Sequence, residues 1–149
     1  LSTLDTGRIS LAAGAVGLMQ RALDLSLAYT RERKQFGKPI AQFQLVQEHL
    51  AAMKLDLEAD RLLTYRAAWK KVKGEPYTLE ASLAKLFASE AANRVAYRAI
   101  QVHGGYGFFE EYEVARLYRD ARILTLYEGT SEVQKLIIGA HLTGVRAFA

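Results

Sequence analysis

Apolar positions recur along this chain at spacings of three and four over almost its whole length, which is the periodicity of amphipathic helices and not of strands. From about Thr6 to Lys34, Ile9, Ala12, Val16, Met19, Leu23 and Leu27 form one row. Leu11, Ala15, Leu18, Ala22 and Leu25 form a second beside it, so this helix is expected to be buried on two sides. Gly14 and Gly17 within it suit close helix packing, and Gly37 and Pro39 then break it.

A second helix is expected from about Phe43 to Lys73, with Val46, Leu50, Met53 and Leu57 as its stripe and Gly74 as its C-terminal stop. A third runs from about Thr78, a candidate N-cap, to His103, with Ala84, Phe87, Ala91, Val95, Ala99 and Val102 in period. Gly104-Gly105-Tyr106-Gly107 stops it. A short helix follows near Glu113 to Ala121, then an extended or irregular stretch from Leu124 to Tyr127. Thr130 can cap a last helix that reaches about Leu142. Both prolines, Pro39 and Pro76, sit where a helix can begin. The connections are short, so the expected fold is all-α: an antiparallel up-and-down four-helix bundle with one extra short helix.

With 149 residues, half of them hydrophobic, the chain can bury one core, and it is expected to be one domain. It has no cysteine, which removes disulfides and cysteine-bound zinc. His49, His103 and His141 lack metal-ligand spacing, and no Glu-x-x-His pair occurs, so no metal site is expected. A net charge of +4 suits an anionic ligand but falls short of a nucleic-acid signature. The longest charge-free run, Ile9 to Gln20, is too short for a membrane span. Leu1 to Asp5 carries no basic leader before an apolar run, so no signal peptide is expected, and the abrupt start reads as if cut from a longer chain.

Three segments invite chemistry. Arg31-Glu32-Arg33-Lys34 reads either as cations complementing a helix C-terminus or as a phosphate site, and Lys70, Lys71 and Lys73 hold the same position on the next helix. Three glycines within four residues after His103 exceed what a helix stop needs and suit a backbone that approaches another molecule closely. Glu128 stands in a break just before a helix start. It is either a carboxylate favoured by the helix dipole or a general base held at a helix mouth, beside amides that can bind an anion or oxyanion.

Taken together and in order, these segments resemble the C-terminal domain of acyl-CoA dehydrogenases over nearly the whole chain. Asp5-Thr6-Gly7-Arg8 resembles that domain's substrate-contacting start, and Arg33-Lys34-Gln35-Phe36-Gly37-Lys38 the flavin-contacting turn after the first helix. Gln101-Val102-His103-Gly104-Gly105-Tyr106-Gly107 resembles the turn that meets the adenine half of the flavin cofactor. Arg119-Asp120-Ala121-Arg122 and Tyr127-Glu128-Gly129-Thr130-Ser131-Glu132 resemble the catalytic region. One departure is Glu113, where the family often has proline after Glu111-Tyr112.

The resemblance implies α,β-dehydrogenation of an acyl-CoA thioester, with FAD as cofactor and Glu128 as the base that takes the α-proton. Some family members carry the base just before the arginine of the first-helix motif, where this chain has Gly7. Implied FAD contacts are Arg33, Gln35, Phe36, Gln44, Gln101, Gly104, Gly105, Thr130, Ser131 and Glu132, and implied substrate contacts are Asp5, Thr6, Gly7, Arg8 and Gly129. The turns at Arg33 and Gly104 would serve a neighbouring subunit's flavin, in a homotetramer or homodimer built through the bundle. An N-terminal helical domain and a middle β domain would precede this one. An electron-transferring flavoprotein would accept the electrons, in bacterial cytoplasm or the mitochondrial matrix. The alternatives are an acyl-CoA oxidase on the same fold and a non-catalytic bundle that only oligomerises.

Overall fold

The computed structural model describes residues 2–147 and contains five α-helices. They are α1 (Ser2–Glu32), α2 (Gln44–Val72), α3 (Thr78–His103), α4 (Glu113–Ile123) and α5 (Ser131–Thr143). The all-α expectation holds. The Asp56–Arg94 and Lys70–Glu80 ion pairs join α2 and α3 in opposite directions. Contacts from Asp5 to Thr78 and from Tyr29 to His103 join α1 and α3 in the same direction, so the long helices run up, down and up. α4 and α5 both dock on α3.

α3 is central because its side chains are small. Ala81, Ala84, Ala88, Ala91, Ala92, Ala96 and Ala99 are all fully buried, and α1 and α2 close over them with Met19, Met53 and Leu57 filling the seams. Both apolar rows of α1 are buried or half-buried, as expected of a helix covered on two sides. Gly14 and Gly17 do not serve close packing within the chain. A Cβ on either would meet nothing within 4 Å.

The helix ends show where local chemistry decides. α1 stops at Glu32, two residues before the expected end, because Lys34–Gln35 (β1) turns back onto Lys38–Pro39 (β2) as a two-stranded hairpin. Phe36 and Gly37 at its tip both have positive φ, the geometry of the tight hairpin turn that matches strand twist. α2 ends as expected at Gly74 (φ 71), with Glu75 N–H donating to the Lys70 carbonyl and Gly74 N–H to that of Lys71. Thr78 does not cap α3. Tyr77 holds the cap position without a side-chain bond, and the Thr78 hydroxyl donates to Asp5 Oδ2 at 2.6 Å instead. Thr130 does cap α5, accepting from Val133 N–H.

α2 breaks the core-and-surface rule on both of its faces. The outer face of α2 leaves Leu55, Leu62, Tyr65, Trp69 and Val72 exposed at helical spacing. On its inner face, Asp60 is fully buried. Its Oδ1 accepts from the Thr64 hydroxyl at 3.4 Å, and its Oδ2 has no partner. Burial, helped by the neighbouring charge of Asp56 and opposed by the Thr64 bond, pushes its pKa from 3.8 to about 7.

That shift fixes a sign. The folded state favours the protonated acid, so Asp60 costs nothing below the ordinary carboxylate range. Its penalty grows as pH rises through that range to about 7 and is constant above. Asp60→Asn keeps the shape without the charge. The variant should match the parent near pH 4 and exceed it at pH 8, by on the order of 4 kcal/mol at most. Thermal unfolding of both proteins across that range measures the difference, and parallel curves would show that Asp60 does not titrate in the fold.

Candidate functional site

The loop between α4 and α5 forces an unusual backbone. Leu126 N–H closes a turn onto the Ile123 carbonyl, and Ser131 N–H reaches back to that of Thr125. Between them Glu128 adopts φ 60 and Gly129 φ 87. A left-handed conformation is ordinary for glycine and strained for glutamate. It turns the Glu128 side chain inward against the second turn of α1, where Oε2 is buried and has no hydrogen-bond partner. A Cβ built on Gly7 would lie 2.6 Å from that oxygen and 2.8 Å from the carboxyl carbon. Gly7 therefore supplies the space that the carboxylate occupies.

Three helices hold this turn from behind. From α1, Arg8 Nε donates to the Glu128 carbonyl at 3.4 Å. From α5, Gln134 Nε2 donates to the carbonyls of both Glu128 and Gly129, each at 3.1 Å. From α3, Lys85 Nζ donates to the Gly129 carbonyl at 2.7 Å. Gly129 itself has no room for a side chain, since a Cβ there would lie 2.6 Å from Gln134 Nε2.

Asp5, Thr6, Gly7, Arg8, Gly129, Thr130, Ser131 and Glu132 all gather around Glu128, but not in equivalent roles. Asp5 and Arg8 are 4% and 3% exposed and pair with each other at 2.7 Å, so their groups serve the fold and not an open surface. Thr6 shares a hydrogen bond with the Tyr77 hydroxyl. Ser131 is buried and donates to Glu90 at 2.6 Å. Glu132 is exposed. A hydrogen bond from its own backbone amide, with a further one from Thr130, holds its carboxyl below the ordinary range. Amides expected to be free at this helix mouth are thus partly taken, those of Ser131, Glu132 and Val133 by groups of the chain itself.

A second constellation lies at the other end of α1. Arg33, Gln35, Gln101, Gly104 and Gly105 line one open cleft of about 540 Å³, with Tyr29, Ile40 and Tyr106 among its other walls. Arg33 lies over the Tyr106 ring, 5.4 Å from its centroid. His103 is buried beneath, stacked on Tyr29 and bonded to the Ala99 carbonyl, with its pKa lowered by burial. Gly104 (φ 61) and Gly105 face open space, whereas Gly107 is explained by packing: a Cβ there would lie 2.9 Å from His103 and from the Ile100 carbonyl. Phe36, at the hairpin tip, and Gln44, at the start of α2, are exposed nearby but outside the cleft wall. Lys70 and Lys73 are occupied elsewhere, with Glu80 and over Trp69.

The expected residues therefore fall into two groups at opposite ends of α1. Between Arg8 and Glu32 the helix rise alone is about 36 Å, too far for one dinucleotide to bridge. Lys85, Gln134 and Asp60 were not expected. Lys85 had one legible signal, since it stands in line with the buried positions Ala81, Ala88 and Ala92, where a lysine breaks the apolar pattern.

Residues 1–143 match the acyl-CoA dehydrogenase C-terminal domain family. The chain is 54% identical, over 95% of its length, to a probable acyl-CoA dehydrogenase, YngJ, of Bacillus subtilis, and spans 37% of that protein. It is 48% identical to the CarC subunit of the caffeyl-CoA reductase–Etf complex of Acetobacterium woodii, covering 95% of this chain and 38% of that one. Its fold superposes on butyryl-CoA dehydrogenase from Megasphaera elsdenii with a TM-score of 0.94 at 49% identity, covering 95% of this chain and 37% of that structure. The chain thus spans less than two fifths of the length of the relatives it matches. On the match of nearly its whole length, this chain belongs to the acyl-CoA dehydrogenase C-terminal domain family.

Proposed function

We propose that this chain serves as the C-terminal domain of a flavin-dependent acyl-CoA dehydrogenase and carries its catalytic base, Glu128. The observation that supports this most directly is the unpartnered, buried Oε2 of Glu128, in a space that only a glycine at position 7 leaves open. A carboxylate that merely complemented a helix dipole would need neither the strained backbone nor that space. A base needs both, since its lone pair must be unoccupied and aimed.

The reaction we assign is removal of the α-proton and β-hydride of an acyl-CoA thioester. The Glu128 carboxylate takes the α-proton. Gly7 lies against that carboxylate and, with Thr6 and Gly129, is assigned to the substrate, while Asp5 and Arg8 support them. Backbone amides of the turn at Glu128 are the donors at hand for the thioester carbonyl as negative charge develops there. When bound, FAD supplies the hydride acceptor. Thr130, Ser131 and Glu132 would hold it at the base end. Arg33, Gln35, Phe36, Gln44, Gln101, Gly104 and Gly105 would hold a neighbouring subunit's flavin at the hairpin end. The separation of the two ends along α1 supports that division.

The same reading includes preceding helical and β domains, a homo-oligomer and an electron-transferring flavoprotein as acceptor. The exposed apolar stripe on α2 supports association through the bundle. The name of the Acetobacterium relative, which includes an Etf complex, supports the acceptor.

Three outcomes follow in the full-length enzyme. Glu128→Gln keeps size and hydrogen bonding but removes the base, and flavin bleaching on anaerobic mixing with acyl-CoA should slow by at least about 10³-fold with flavin retained. Bleaching at the parent rate would refute the assignment. Gly7→Ala should displace the carboxylate, slowing bleaching about tenfold or more while the unfolding temperature stays nearly constant. An unchanged rate would mean the space at Gly7 is not used. Arg33→Ala should raise the FAD dissociation constant about 10- to 100-fold, whereas Lys71→Ala, exposed at the end of α2, should leave it unaltered. Equal loss in both would reduce Arg33 to a dipole complement.

A further inference from the structure

Lys85 is a fully buried lysine, and its ammonium reaches no carboxylate within ion-pair distance among the described residues. It spends its charge on a backbone carbonyl, that of Gly129. A buried cation without an acidic partner is costly, and a fold retains one where the group it touches needs holding. Burial and the charge of Arg8 work against its charged form, while the charges of Glu90, Glu128 and Glu132 favour it. Gln134 is likewise fully buried and splits its amide between the carbonyls of Glu128 and Gly129. The two side chains come from different helices and meet on consecutive peptides.

The first of those peptides follows the strained residue. Glu128 at φ 60 tends to relax toward ordinary backbone, which would swing its carbonyl and its side chain together. We propose that Lys85 and Gln134 are positioning residues for the base: by fixing the carbonyls of Glu128 and Gly129, they lock the left-handed turn that aims the Glu128 carboxylate into the space beside Gly7. This rests on the reading of Glu128 as the base. Gly129 is part of the device, because any side chain there would collide with the Gln134 amide that must reach past it. Lys85 donates to the Gly129 carbonyl and makes no hydrogen bond to the carboxylate, so its hold on the position of the base runs through the backbone.

The test compares four variants of the full-length flavin-loaded enzyme: Lys85→Met, Gln134→Leu, Glu128→Gln, and Lys85→Met combined with Glu128→Gln. Anaerobic flavin bleaching by acyl-CoA is measured per bound flavin, together with acyl-CoA affinity. Lys85→Met should slow bleaching about 10²-fold and Gln134→Leu about tenfold, with acyl-CoA affinity within about twofold of the parent. In the Glu128→Gln background the lysine substitution should cost nothing further, since there is no base left to aim. A purely structural lysine gives a different pattern: lower flavin content and unfolding temperature, but the parent rate per bound flavin. That result, or a double variant slower than Glu128→Gln by the full factor of Lys85→Met alone, overturns the proposal. Should Lys85→Met fail to hold flavin, Gln134→Leu decides, and its bleaching at the parent rate overturns it equally. If instead Glu128→Gln itself bleaches normally, the base assignment has failed and not the positioning of the turn.

Discussion

Closeness of approach to α3 governs this molecule. Seven fully buried alanines along that helix let α1 and α2 lie against its backbone with little between them, and close packing leaves an added methylene no place without moving a helix. The consequence reaches the candidate site. Asp5 on α1 meets Thr78 on α3, and Lys85 on α3 meets the carbonyl of Gly129, because the helices that carry them are that near. A bulkier seam would separate the second turn of α1 from the α4–α5 loop, and the contact of the Glu128 carboxylate with Gly7 depends on that gap being narrow.

Polar burial then does at one end what alanine packing does along the length. Asp5 and Arg8 pair out of solvent, and Arg8, Gln134 and Lys85 each spend donors on the backbone of the Glu128 turn. Such a network is costly unless nearly every member is satisfied, and when satisfied it specifies one geometry. The opposite end is built differently. There an exposed hairpin, two open glycines and an arginine over a tyrosine leave a cleft whose groups point outward.

What was legible in the sequence follows the same physics. Helix periods exposed the long elements, and α3 begins and ends at the expected Thr78 and His103, because apolar spacing reports which face is covered. Turn geometry was less visible. Strands of two residues are too short to alternate, so the hairpin after Glu32 read only as a break. Thr78 carried the right chemistry for a cap, yet a stronger acceptor, the Asp5 carboxylate, claimed its hydroxyl. Glu128 and Gly7 were singled out by motif, but the reason they belong together, a carboxylate filling the place of a missing Cβ, is three-dimensional. Lys85, Gln134 and Asp60 escaped because a polar residue at a buried helical position looks, in a one-dimensional pattern, like a gap in the stripe.

Asp60 has a consequence beyond the strength of the fold. Its carboxyl is ionised when the chain is unfolded at mildly acidic pH and protonated once the core closes over it, so between pH 3.8 and about 7 the folding reaction takes a proton from the medium. The chain is then a weak buffer whose range moves with its conformation, and at mildly acidic pH anything that opens this part of the core releases acid into its surroundings.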